Sequence, residues 1–123
     1  MNREIFFRAK RIIGGEFVFG NLVQIYNVNG SHNSISIIQQ DTGAELNVDC
    51  VSVGQFVGMS DKNNIKIFEG DIVRCNKENY VVYFDNEMLE FGLKCNNTLF
   101  HVQFNHEFDI IGNIHDNPEL APS

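Results

Sequence analysis

The amino-acid sequence predicts an all-β protein with little helix, and three observations carry that prediction. Apolar and polar residues alternate with the two-residue period of a half-buried strand, most plainly in Ser34-Ile35-Ser36-Ile37-Ile38. Turn-forming Gly, Asn and Asp clusters recur roughly every 8–12 residues, the spacing of a small barrel or sandwich. No long stretch carries a helical apolar period with capping residues.

The first predicted strand spans residues 3–9, where Ile5-Phe6-Phe7 forms a short apolar centre. Gly14-Gly15 marks a turn, and residues 16–26 read as a strand element interrupted near Gly20. Asn29 to Asn33 is turn-prone, because Asn and Gly tolerate positive φ. Residues 34–38 form the next strand, Asp41-Thr42-Gly43 turns the chain, and Ala44 to Val48 returns. The stretch from Asp49 to Val53 can form one short helical turn. Beyond Gly54, strands are expected at 56–59, 65–68, 72–75, 80–84, 88–94, 98–104 and 108–114. The turns between them include Asp61 to Asn64, Lys77 to Asn79, Asp85 to Glu87, and Asn96-Asn97. Pro118 and Pro122 place the residues after the last strand in a polar tail.

The chain of 123 residues has room for one domain, or one domain with a smaller β annex. A 43% hydrophobic content with eleven Phe suits a packed core rather than disorder, and the Phe are expected to lie mostly in that core. No apolar run reaches the length of a membrane span, and the N-terminus lacks the apolar centre of a signal peptide. Cys50, Cys75 and Cys95 are odd in number and lack Cys-x-x-Cys spacing, which fits reduced thiols in a cytoplasm. Arg3, Arg8, Lys10 and Arg11 face only Glu4 within the first fifteen residues, yet the whole chain carries a net charge of −7. That balance disfavours a DNA grip through phosphates except at the basic N-terminal strand.

Phe68-Glu69-Gly70-Asp71-Ile72-Val73 is the most informative local stretch. Gly70 supplies a conformation that residues with a Cβ avoid, and the Asp71 carboxylate can accept turn amides. Glu69 and Asp71, two residues apart on a turn, could share a ligand as a carboxylate pair, but no other acid, His or Arg is tied to them by spacing. Their reading is therefore structural, a turn of the kind that recurs in SH3-like barrels.

At this point the chain resembles the YopX family of phage and prophage proteins. Three blocks carry the resemblance: Arg3-Glu4-Ile5-Phe6-Phe7-Arg8-Ala9, the run from Val53 to Val73 that contains Gly54-Gln55-Phe56 and Phe68-Glu69-Gly70-Asp71-Ile72-Val73, and Ile110-Ile111-Gly112-Asn113-Ile114 through Pro118-Glu119-Leu120. Val57, Met59 and Asn64 replace the usual Thr, Leu and Gly, and Lys10 stands where many relatives have Trp. The resemblance implies an N-terminal β segment over residues 1–53, packed on an SH3-like barrel over 54–117, with a polar tail at 118–123. It further implies a phage or prophage origin and residence in a bacterial host cytoplasm, without implying an activity.

His101, His106 and His115 with Cys95 lack the paired short spacing of zinc ligands, and His101 and His106 fall on opposite faces of a continuous strand. Cys75 follows an apolar strand and reads as small core filling, and Cys95 has no stronger claim to be a nucleophile. No phosphate loop, nucleophile elbow or His-Glu-x-x-His occurs, so neither a cofactor nor an enzymatic activity is expected. Phe17, Phe19, Phe56, Phe68, Phe84 and Phe91 could stack bases, but acids rather than a basic groove flank them.

The expected function is that of a non-enzymatic phage accessory protein presenting a protein-interaction surface to a host protein, a phage protein or itself. One alternative is nucleic-acid binding through Arg3, Arg8, Lys10 and Arg11 on an SH3-like barrel. Another is an acidic mimic of DNA that occupies a host protein. No membrane association is expected.

Overall fold

The computed structural model describes residues 4–26, 34–100 and 107–122, and among these no helix is long and apolar enough to cross a membrane. The chain is all-β, with two three-residue 3-10 turns among the described residues, and it divides into two compact units, 1–55 and 56–123. The division falls within a strand, two residues beyond the boundary expected at 53/54. The strands build two antiparallel sheets, and among the described residues neither closes into a barrel.

The first unit contains β1 (Phe7–Lys10), β2 (Phe17–Ile25), β3 (Ser34–Gln39) and β4 (Glu45–Asn47), hydrogen-bonded in the order β4-β3-β2-β1. Gly54 and Gln55, which open β5 (Gly54–Ser60), pair with Arg8 and Phe7 on the other side of β1. Ala9, Val18, Ile37 and Val48 form the core on one face of this sheet, with Phe7, Leu22, Ile35, Leu46 and Val53 packed around them. Period-two alternation puts these residues on a common face and sends Arg8 and Lys10 to the other.

The expected interruption near Gly20 does not occur. β2 runs unbroken from Phe17 to Ile25 because Gly20 has no Cβ: one placed there would enter the envelope of the Ile38 carbonyl oxygen on β3. Gly20→Ala is therefore expected to push β3 away and to destabilise the unit by about 2–3 kcal/mol. Urea melting followed by circular dichroism checks it, and Gly15→Ala, where a Cβ meets open space, is the control for positive φ alone.

In the second unit, Phe56 and Ser60 of β5 pair with Phe68 and Lys66 of β6 (Lys66–Phe68). The other strands are β7 (Asp71–Cys75), β8 (Glu78–Asp85), β9 (Glu90–Cys95), β10 (Thr98–Phe100) and β11 (Asp109–Asn113), in the sheet order β10-β9-β8-β7-β11. Ile67, Val73, Val82, Leu93 and Phe108 form the core, so β6 packs its central residue onto this sheet. Cys75 packs half-buried against the same cluster, as its sequence context predicts.

Two turns sit differently from expectation. The reversal into β8 uses Asn76-Lys77, both at positive φ (53° and 70°), leaving Glu78 and Asn79 in the strand. Met88 and Leu89 belong to the β8–β9 loop rather than to β9, because Asp85 Oδ1 accepts the Glu87 and Met88 amides at 2.9 and 3.2 Å. Residues 101–104 of the predicted strand 98–104, and the Asn29 to Asn33 turn, lie outside the described residues. The short helical turn expected at Asp49 to Val53 is present as a 3-10 turn over Cys50–Ser52, capped by Asp49. The expected polar tail is partly structured: Pro118–Leu120 forms a second 3-10 turn, and the Leu120 carbonyl accepts Asn79 Nδ2 at 3.1 Å.

The Phe distribution is more open than a purely core reading predicts. Phe6, Phe56, Phe68 and Phe108 are buried, while Phe19 and Phe100 are exposed. Phe84 and Phe91, directly opposite across β8 and β9, meet edge-on at 5.2 Å between centroids, as half-buried sheet aromatics do.

Candidate functional site

The backbone of residues 10–12 is zipped to that of 47–49, and this pairing forms one wall of a concave surface in the first unit. Ile12 N donates to the Asn47 carbonyl at 3.1 Å, Asp49 N donates to the Lys10 carbonyl at 2.9 Å, and Arg11 bridges to Val48. Ser52 Oγ then accepts the Lys10 amide at 2.8 Å and donates to the Asp49 carbonyl at 2.7 Å, fixing the 3-10 turn against β1. The ends of β2 and β3 supply the rest of the wall. The result is an open groove of about 940 Å³, lined among others by Arg11, Ile12, Tyr26, Ile35 and Val48. Its volume is at the upper end of the range of ligand clefts.

Ile12 and Tyr26 line this groove, and Ile13 and Val51 follow its lining residues Ile12 and Cys50 in sequence. Ile12, Ile13, Tyr26 and Val51 are 66%, 78%, 68% and 74% exposed.

Three of the four basic residues singled out in the sequence fall among the described residues, and their surroundings differ. Arg3 lies outside the described residues. Arg8 is buried, with its guanidinium 4.4 Å from the centre of the Phe17 ring, and Lys10 Nζ lies 5.2 Å from the same ring. Arg11 pairs with Glu16 at 3.1 Å. The Glu16 backbone amide, and then the Arg11 guanidinium, hold the Glu16 carboxyl below its usual range. Lys10 and Arg11 are the cations along the groove, and Asp49 is the carboxylate there.

The carboxylates of the second unit have structural work. Asp71 is buried and accepts the Phe68 amide at 2.7 Å, while the Gly70 amide donates to Val82 and its carbonyl accepts the Ile114 amide. Gly70 stands at φ +94°, so the Glu69-Gly70-Asp71 turn occupies a conformation suited to glycine and ties the starts of β6–β7 to β8 and to the end of β11. Sequence reasoning missed a second carboxylate, Asp61. It is 1% exposed and accepts three backbone amides: Asn63 and Ile65 on Oδ1, both at 2.9 Å, and Ile110 on Oδ2 at 3.1 Å. The signal available was an Asp opening a polar turn whose Asn64 stands at positive φ.

Asn113 works similarly, its Oδ1 accepting the His115 and Asp116 amides at 2.9 Å each. Thus the blocks Asp61 to Asn64, Glu69 to Asp71 and Gly112 to Asn117 are hydrogen-bonded turns. His101 and His106 lie outside the described residues, and among those described no group of three or more His, Cys, Asp or Glu is placed to hold a metal ion.

Comparison with known proteins agrees with this architecture. The crystal structure of protein EF1440 from Enterococcus faecalis is similar, with a TM-score of 0.58 at 21% identity over 97% of this chain and 99% of that one. At that identity the likeness speaks for the fold alone. No curated protein matches. The YopX family (YopX protein) matches over residues 6–121, which takes in the groove residues, the Asp61 turn and the Glu69-Gly70-Asp71 turn, and the chain belongs to that family.

Proposed function

We propose that this YopX family member is a non-enzymatic protein-interaction module of phage or prophage origin, working in the cytoplasm of a bacterial host. The observation that supports it best is the groove of the first unit, where Ile12 and Tyr26 are exposed in the lining, with the exposed Ile13 and Val51 next in sequence to lining residues. A concavity that mixes exposed apolar side chains with polar ones suits a protein partner better than a polyanion. The second unit fits an SH3-like description in this reading, with the β5–β6 hairpin packing Ile67 onto the β7–β11 sheet.

Nucleic-acid binding through Arg3, Arg8, Lys10 and Arg11 is the competing reading. Burial of Arg8 and the Arg11–Glu16 pair weaken it, since phosphate contacts need cations turned to solvent. A DNA-mimic role would rest on the acidic residues of the second unit, which bears eleven Asp or Glu against five Lys or Arg.

The test is affinity capture from nuclease-treated host lysate, comparing the native protein with Ile12→Asp combined with Tyr26→Ser. Both residues are exposed, so the variant is expected to melt like the native chain while its recovery of a defined protein falls at least about tenfold. Equal recovery by both proteins excludes the groove. Salt-sensitive retention of nucleic acid that disappears on neutralising Lys10 and Arg11 overturns the reading in favour of the competing one.

A further inference from the structure

We draw no further inference here: the strongest candidate, the open groove of the first unit lined among others by Ile12, Tyr26, Ile35 and Val48, belongs to the site already described, and with Lys10 set against Phe17 and Arg11 paired with Glu16 nothing in the structure shows what covers it.

Discussion

Replacing Asp61 with alanine is expected to lower the stability of the 56–123 unit by about 3–5 kcal/mol, the largest single effect in the chain. The carboxylate is 1% exposed and accepts the amides of Asn63, Ile65 and Ile110. Two of those amides lie in the turn between β5 and β6, and the third opens β11, forty-nine residues away in sequence. Deleting the side chain leaves three donors without their acceptor at a site that a methyl group cannot satisfy. Asp61→Asn keeps the shape and the Oδ1 acceptor but points an amide NH2 at the Ile110 N–H, so about 2 kcal/mol is expected. Urea melts of the three proteins give the ranking, and exchange protection of the Ile110 amide identifies the bond. Equal stability of native and alanine proteins would refute the structural role.

The same residue sets a pH dependence. Burial raises the Asp61 carboxyl, as the largest single influence, but the Ile65, Ile110 and Asn63 amides and the Asn63 side chain together outweigh it and hold it below its ordinary 3.8. A carboxyl lowered in the folded state contributes stability that is complete above its unfolded value and lost as pH falls through the folded one. The native protein is therefore expected to lose stability steeply below about pH 4, and Asp61→Asn to lose less over that range. Parallel acid titrations monitored by circular dichroism compare the slopes.

Local turn chemistry made much of the second unit legible in the sequence. Asn64, Asn96 and Gly70 all stand at positive φ, so the turns around them sit close to where composition places them. The misplaced edges have local causes as well. Nothing in the residue order marks Leu89 as left-handed, and only the Asp85 carboxylate's hold on two loop amides keeps Met88 and Leu89 out of β9. Gly20 read as a break because a glycine in a strand signals either an irregularity or a close approach of backbone, and only the Ile38 carbonyl beside it decides which.

The groove was illegible for a different reason. It arises from the pairing of residues 10–12 with 47–49, a long-range register that local patterns do not encode. In the sequence, Ile12-Ile13 before Gly14-Gly15 is only an apolar pair at a strand end. The basic segment was visible, but its chemistry was not, since burial of Arg8 over Phe17 and the Arg11–Glu16 pair depend on the β1–β2 hairpin having formed.

Asp71→Ala is expected to cost about 2–3 kcal/mol, and it separates an architectural from a chemical reading of the Glu69-Gly70-Asp71 turn. Asp71 Oδ2 takes the Phe68 amide at 2.7 Å within a buried setting, which closes the turn between β6 and β7. Gly70, between them, uses its amide on the Val82 carbonyl and its carbonyl on the Ile114 amide, so the turn's position fixes two neighbouring segments. Asp71→Asn retains an acceptor of the same reach and is expected to cost only about 1 kcal/mol, whereas for a carboxylate serving only acid–base chemistry neither change would lower stability. The discriminating measurement pairs urea melting with amide exchange at Phe68, Gly70 and Ile114. With an architectural turn, Asp71→Ala exposes all three amides together, since Phe68 loses its acceptor and Gly70 and Ile114 lose their alignment. Loss of protection at Phe68 alone would mean that the Gly70 peptide holds its place without the carboxylate, and the turn's reach across β8 and β11 would then belong to glycine.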